Sequence, residues 1–263
     1  MSGKELRLSR IINPKSGRAL VVPADDALLA GPEGHLRALG EMISIVAEAG
    51  ADAVMGFAGV FKSSAENFRS LGAILNLTAS TTRGQHTRKT QVSSVEQALR
   101  LGADCVAVHV NISSGYETDM LRLMGMIAAD CARFGMPLMG IMYPRREENG
   151  RDDNYEVLRR DAPAEYAKLV RHAVRIGVEL GADIIKTQYT DDEASFASVV
   201  DCAMGVPVLI AGGPLQPAEK ALSKARAAIS AGAAGVSFGR NVFLRDNVRE
   251  FIQLLRAAVH GVD

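Results

Sequence analysis

A glycine followed by a short apolar run recurs seven times along the chain, in two versions that alternate strictly. One version carries an acid: Gly50-Ala51-Asp52 before AVM, Gly102-Ala103-Asp104 before CVAVHV, and Gly181-Ala182-Asp183 before IIK, with a degenerate copy at Gly232-Ala233-Ala234 before GVSF. The other lacks it: Gly72-Ala73 before ILNL, Gly135-Met136-Pro137 before LMGIM, and Gly205-Val206-Pro207 before VLIA. Each glycine reads as the residue that closes an amphipathic helix, such as Ala164 to Leu180. Each run is short and continuously apolar, as a strand covered on both faces must be.

With the leading run Ala19 to Pro23, the chain holds eight such strands separated by helical stretches. Parallel strands need crossover helices, so the pattern indicates an α/β fold, and eight units spread over residues 1–263 without a linker indicate a single (β/α)8 TIM barrel. The alternation suits closure, because odd and even strands fill a barrel interior in alternate layers. Gly50 to Gly102 and Gly181 to Gly232 span 52 and 51 residues, whereas Gly102 to Gly181 spans 79. Much of the excess is the charged stretch between Tyr143 and Asp161, PRREENGRDDNYEVLRR, which reads as a loop over the mouth: a lid, a solvated insertion or a subunit contact.

Charge excludes some partners. Thirty basic and thirty acidic residues give a formal net charge of zero, which offers nothing to a nucleic acid or a membrane surface. The three cysteines, Cys105, Cys131 and Cys202, form no CxxC pair and have no histidine at metal-ligand spacing, so neither a disulfide scaffold nor a metal site is expected. The N-terminus MSGKELRLSR is too polar for a signal peptide and no window reaches a membrane span, so a cytoplasmic small-molecule enzyme is expected.

In a barrel the chemistry gathers where the carboxyl ends of the strands converge. Those ends carry Asp25 and Asp26 (first strand), Asn76 (third), His109 and Asn111 (fourth), Tyr143 (fifth) and Lys186 (sixth). The seventh and eighth end in Gly212-Gly213 and Gly239-Arg240. Of the chain's 8 lysines, Lys186 alone ends an apolar strand run. Desolvation there favours the neutral amine that attacks a carbonyl carbon, so Lys186 is a candidate Schiff-base lysine, the alternative being a structural lysine paired with an acid such as Asp25. Tyr143 and Asp25 favour the first reading, since cleaving a carbon–carbon bond through an iminium needs one proton removed and another delivered. Gly212, Gly213, Gly239 and Arg240 suit a phosphate, whose oxygens accept from close backbone N–H groups and a guanidinium. Asp26 and His109 are candidate substrate contacts. Asn111 either contacts substrate or orders the mouth, as His109 could. His86 and Arg88, in the turn TTRGQHTRKT, could touch a second substrate or a neighbouring subunit, whereas His35 and His172 read as ordinary helix-face residues.

These residues carry a resemblance. The opening GKELRLSRIINPKSGRALVVPADD, then LGADCVAVHVN, MGIMYPR, LGADIIKTQYT, IAGGP and GVSFGRNVF resemble, in order and nearly end to end, the archaeal-type class I aldolases and within them the aminodideoxyheptulosonate synthases. The resemblance implies Lys186 as Schiff-base lysine, Tyr143 as proton donor, Asp25 as proton acceptor, and a phosphate on Gly212, Gly213, Gly239 and Arg240. It implies no metal or other cofactor, a phosphorylated ketone donor (dihydroxyacetone phosphate or a deoxyketohexose phosphate), an aldehyde acceptor such as aspartate semialdehyde, and a role in aromatic biosynthesis. Relatives of this kind form homo-oligomers, commonly decamers. Fructose 1,6-bisphosphate cleavage, thiolase-like acyl transfer on a phosphorylated dione, and a non-catalytic binding barrel are the alternatives. The resemblance breaks where the family reads Asp-His-Gly: this chain has Asp25-Asp26-Ala27, which adds a carboxylate at the mouth. The family's Tyr-Pro-Arg-Gly is likewise Tyr143-Pro144-Arg145-Arg146 here, which makes the start of the lid more basic.

Overall fold

Six of the seven repeated glycines take the left-handed backbone that ends a helix, with φ from 60° at Gly135 to 94° at Gly232. Gly72 departs from the expectation. It opens a strand instead of closing a helix, and it is glycine because a Cβ there would lie 2.4 Å from the Arg10 carbonyl oxygen. The apolar runs that follow form the strands of a computed structural model that describes residues 2–261. The outermost positions of the 1–263 unit, Met1, Val262 and Asp263, lie outside the described residues.

The strands are β1 (Ala19–Pro23), β2 (Ala53–Gly56), β3 (Gly72–Asn76), β4 (Cys105–Ile112), β5 (Leu138–Pro144), β6 (Ile184–Thr187), β7 (Val208–Ala211) and β8 (Gly235–Ser237). All eight pair in parallel with their sequence neighbours, and β1 pairs with β8 through Ala19 and Gly235, which closes the barrel. The outer ring holds α1 (Leu39–Glu48), α2 (Ala58–Ser63), α3 (Val95–Arg100), α4 (Glu117–Phe134), α5 (Pro163–Glu179), α6 (Glu193–Asp201), α7 (Ala218–Ser230) and α8 (Val248–His260). The sequence reading of a (β/α)8 barrel is therefore correct. No helix among the described residues is long and apolar enough to cross a membrane.

Alternation along the strands divides the apolar residues into two cores. Leu20, Val22, Val54, Val106 and Ile185 face the helices, while Val21, Met55, Ile74, Ala107, Ile141, Ile184 and Leu209 fill the barrel interior together with Ile11 from the N-terminal segment.

The three acidic signatures share one structural task. Asp52, Asp104 and Asp183 each accept the backbone N–H at the start of the preceding strand, from Leu20 at 2.6 Å, Ala73 at 3.0 Å and Leu138 at 2.9 Å. Each also donates its own N–H to the carbonyl of that same residue. The carboxylates thus clip β1 to β2, β3 to β4 and β5 to β6 at the end of the barrel opposite the mouth. His260, Arg10 and Lys4 in turn bind these carboxylates at 2.9, 2.8 and 2.8 Å, which ties the last and first segments of the chain to the base. The degenerate copy keeps the backbone bond from Ala234 to Val208 but has no side chain to clip β7 to β8. The strict alternation therefore records pairwise clipping at the base as well as interior layering.

The stretch after Tyr143 is more regular than its sequence suggested. Arg146–Glu148 and Arg151–Asp153 form an antiparallel hairpin, followed by a short helix, Glu156–Asp161. Arg146 bonds Asp153 at 2.9 Å and lies over the Tyr155 ring, so cross-strand pairing replaces the apolar periodicity that is missing.

Asp104 is 8% exposed and serves both Ala73 and Arg10. Replacing it leaves a buried N–H and a cation without their acceptor, so Asp104→Ala is expected to lower the unfolding free energy by about 2 kcal/mol in urea denaturation. Arg100→Ala, which breaks an exposed pair with Glu96, is expected to cost under about 1 kcal/mol.

Candidate active site

The inward row of each strand continues past the apolar core to a polar residue at the mouth. Two positions beyond Ile74, Ala107, Ile141 and Ile184 stand Asn76, His109, Tyr143 and Lys186; Ser237 ends β8, and Asp25 lies two residues past the end of β1. These residues line one cavity of about 380 Å³, together with Asp26, Gly212, Gly213, Gly239 and Arg240. The structure therefore brings together every residue that the sequence put forward as catalytic or as a substrate contact, with the exceptions given below.

Lys186 is 7% exposed, at the register position of Ile141 on β5 and Leu209 on β7. No side chain among the described residues offers it a hydrogen bond or an ion pair, so the expected alternative, a structural lysine paired with Asp25, is not what the structure contains. The chain just beyond the amine is fixed, since Thr187 Oγ1 donates to the Met142 carbonyl at 2.8 Å and Tyr166 Oη donates to Gln188 at 2.7 Å. Asp25 is held instead by Asn76, whose Nδ2 donates to it at 2.9 Å. Asn76 Oδ1 accepts from Thr78 N at 3.1 Å, and Thr78 Oγ1 accepts from His109 N at 2.9 Å, so β3 and β4 set the carboxylate through a continuous chain of bonds.

The Tyr143 ring stands edge-on to His109, centroids 4.9 Å apart at 78°. Burial holds His109 well below the usual imidazole range, reinforced by the nearby charges of Lys89 and Arg145, so the ring is neutral. Its buried Nε2 has no partner, nor has the buried Ser237 Oγ. Two unpaired polar atoms on side chains that line one cavity are a cost unless a polar ligand satisfies them.

One side of the cavity has the features that can hold an anion. Gly213 has φ 76°, and a Cβ on Gly212 would press against the Phe238 ring at 3.1 Å. Asn241 joins the two glycine turns: its Nδ2 donates to the Pro214 carbonyl at 2.9 Å and its Oδ1 accepts from Gln216 N at 3.0 Å. Arg240 is half exposed, with Nε 3.6 Å from Asp26. Burial, then the charge of Asp25, raises the Asp26 carboxyl, and Arg240 and Lys186 oppose that rise. Lys224 reaches back from α7 to within 3.4 Å of the Gly212 carbonyl, and burial lowers its amine to about 8.

The opposite side holds a second group of cations. Lys89, 6% exposed, donates to Ser80 Oγ at 2.6 Å, and Arg145 meets His86 Nε2 at 2.9 Å. Of these, the sequence singled out only His86. Lys89 and Lys224 were missed because they reach the mouth from a loop and a helix, away from the strand runs, and Arg145 was read only as part of the basic start of the lid. The scarcity of lysine was the one available signal. Ser237 and Asn241 were legible only as parts of the last strand motif.

Other expectations resolve differently. Asn111 is fully buried and donates to the Thr87 carbonyl at 2.8 Å, so it orders the β3–β4 connection and does not line the cavity. Arg88 stacks over Tyr116. His35 lies on a 3₁₀ turn and His172 on the exposed face of α5, as ordinary helix-face residues do. Among the described residues no three His, Cys, Asp or Glu side chains group as metal ligands. A shallower depression of about 640 Å³ lies at the base beside Arg10 and Asp52, where the carboxylates serve the clips.

The chain matches the DeoC/LacD family of aldolases over residues 20–245. It is 37% identical to 2-amino-3,7-dideoxy-D-threo-hept-6-ulosonate synthase 1 of Archaeoglobus fulgidus, over 99% of this chain and 92% of that protein. It is 36% identical to 2-amino-4,5-dihydroxy-6-oxo-7-(phosphonooxy)heptanoate synthase of Streptomyces griseus, over 98% and 90%. Among solved structures, an archaeal fructose 1,6-bisphosphate aldolase superposes with a TM-score of 0.86 at 29% identity, over 99% of this chain and 100% of that one. A second, described with its catalytic lysine covalently bound to the carbinolamine intermediate, gives 0.85 at 28%, with the same coverage. With a family match across most of its length and relatives this similar from end to end, the chain belongs to the DeoC/LacD aldolases, in the class that works through a Schiff base.

Proposed function

We propose that the protein joins dihydroxyacetone phosphate, or a related phosphorylated ketone, to aspartate semialdehyde, with Lys186 as the Schiff-base lysine. The observation that carries this reading is a buried amine with no protein partner, in the same cavity as the glycine turns and Arg240. The product name of the Streptomyces griseus relative supports the substrates. Its hydroxyl at carbon 4 lies β to its ketone at carbon 6, so the bond that an aldolase makes joins carbons 4 and 5. Breaking that bond gives dihydroxyacetone phosphate and the four-carbon amino acid aldehyde.

Each residue takes a separate part of the chemistry. Gly212, Gly213, Gly239 and Arg240 hold the donor phosphate and so bring its ketone to Lys186. The neutral amine attacks the ketone carbon, water leaves, and the iminium acidifies the adjacent carbon. Tyr143 exchanges the proton at that carbon and Asp25 the proton at the hydroxyl of the new bond, donor and acceptor respectively in the cleavage direction. Asp26 adjusts the phosphate corner through Arg240, and neutral His109, whose Nε2 has no partner among the described residues, hydrogen-bonds the substrate. No metal or other cofactor enters these steps. The whole chain acts as one catalytic unit, assembled as a cytoplasmic homo-oligomer, and serves aromatic biosynthesis. Fructose 1,6-bisphosphate cleavage is the second reading, favoured by the likeness to the archaeal aldolases.

Borohydride reduction in the presence of dihydroxyacetone phosphate is expected to leave a mass adduct on Lys186; no adduct with any phosphorylated ketone would overturn the reading. Lys186→Met is expected to lose the adduct and all measurable turnover. Tyr143→Phe is expected to keep the adduct while kcat falls roughly 100-fold, the scale of a lost proton carrier. Product mass after adding aspartate semialdehyde or glyceraldehyde 3-phosphate separates the two substrate readings.

Asp26 sets the pH response of donor binding. Because its carboxyl is raised, it becomes charged later than an ordinary carboxylate as pH climbs, and the charge then competes with phosphate for Arg240. The KM for dihydroxyacetone phosphate is expected to rise with pH through that range. Asp26→Asn is expected to lower KM severalfold and to flatten the rise.

A further inference from the structure

Lys89 and Arg145 are cations withdrawn from water without a carboxylate partner. Lys89 is 6% exposed and bonds Ser80 Oγ at 2.6 Å; Arg145 is half-buried and bonds Asn154 Oδ1 at 2.6 Å and His86 Nε2 at 2.9 Å. Neither has a carboxylate within 4.0 Å among the described residues, and neither takes part in the chemistry above. Buried cations left unpaired are costly, a cost that a bound anion would offset.

Their place is set by the barrel. The strands close in the order β1 to β8, so the β3–β4 connection carrying Lys89 lies across the mouth from the glycine turns after β7 and β8. Arg145 follows β5, beside Tyr143. A ketone held by its phosphate at β7 and β8 and by its carbonyl at β6 therefore presents its far side to Lys89 and Arg145, where the acceptor has to arrive.

We infer that Lys89 and Arg145 form a binding subsite for the carboxylate of the acceptor aldehyde, oriented by His86 between them. This rests on the aldolase reading above and extends it to how the acceptor is recognised. His86 is fit for the task because burial, reinforced by Lys89 and Arg145, lowers it to about 3 and so keeps its ring neutral. Arg145 can only donate, so His86 Nε2 accepts, and the ring proton lies on Nδ1, which donates to Ser80 Oγ at 3.2 Å, the hydroxyl that also accepts from Lys89. Asp152, 3.9 Å from His86 Nε2, lines the same patch and complements an α-ammonium group.

The subsite carries a pH signature. Burial, then the charge of Arg145, lowers Lys89 to about 7, opposed by Asp25 and Asp152. The other charged or titratable groups facing it are His86, His109 and, through His86, Arg240. Lys89 is an ammonium ion below that value and neutral above it, so carboxylate binding weakens as pH rises from 7 to 9.

The test compares kcat/KM for aspartate semialdehyde, succinate semialdehyde and butanal, with dihydroxyacetone phosphate saturating. Succinate semialdehyde keeps the carboxylate and lacks the amine; butanal has a methyl group in place of the carboxylate. Lys89→Met is expected to lower kcat/KM about 10- to 100-fold for both semialdehydes and under threefold for butanal. Lys89→Arg is expected to keep semialdehyde KM within severalfold of wild type and to abolish its rise between pH 7 and 9. Equal losses for butanal and the semialdehydes would overturn the inference, as would a Lys89→Arg protein that keeps the wild-type pH dependence. A larger Lys89→Met loss for glyceraldehyde 3-phosphate than for aspartate semialdehyde would overturn the carboxylate assignment. Borohydride trapping on Lys186 is read in parallel: failure there counts against the aldolase reading, and success there leaves any selective loss to be explained by the subsite alone.

Discussion

Closing eight strands on themselves forces every second side chain of every strand into one shared interior, and the depth of that interior decides what each can be. At mid-height, space and dryness admit only side chains such as Val21, Ile74, Ala107 and Ile184. Two residues further on, the same rows emerge at the mouth, and the same geometry that packed the core now aims Asn76, His109, Tyr143 and Lys186 at a common point. The site is the rim of the core, which is why Lys186 is buried beside Ile141 and Leu209 with no side-chain partner among the described residues.

Charge at this rim is arranged in sectors. Cations stand on both flanks, Arg240 and Lys224 toward β7 and β8, Lys89 and Arg145 toward β3 to β5, while Asp25 and Asp26 occupy the end of β1. Burial weakens the cations that reach furthest in, bringing Lys89 to about 7 and Lys224 to about 8. A bound anion beside either amine would favour its charged form.

The fold was legible in the sequence because its defining features are local: a glycine that ends a helix, then a run that ends in a polar residue. Lys186, Tyr143 and Asp25 were legible for the same reason, each being the first polar break after an apolar strand. Lys89 and Lys224 were not, because a loop lysine and a helix lysine look like ordinary surface residues until tertiary packing buries them. Asn111 fits either substrate contact or ordering of the mouth by sequence, and the structure gives it an ordering role, since its Nδ2 donates to the Thr87 carbonyl. Gly72 misled because close approach of the Arg10 backbone demands a glycine as firmly as a helix end does.

The missing fourth clip gives the barrel an asymmetry. At the base, carboxylates pin three of the strand seams, and the seam between β7 and β8 has only backbone bonds. That seam is fastened at its other end, where Asn241 bridges the turns, beside the place where a phosphate would sit. An anion shared by those two turns, as proposed above, would therefore also fasten the barrel, so that ligand occupancy and the integrity of the fold would meet at one joint.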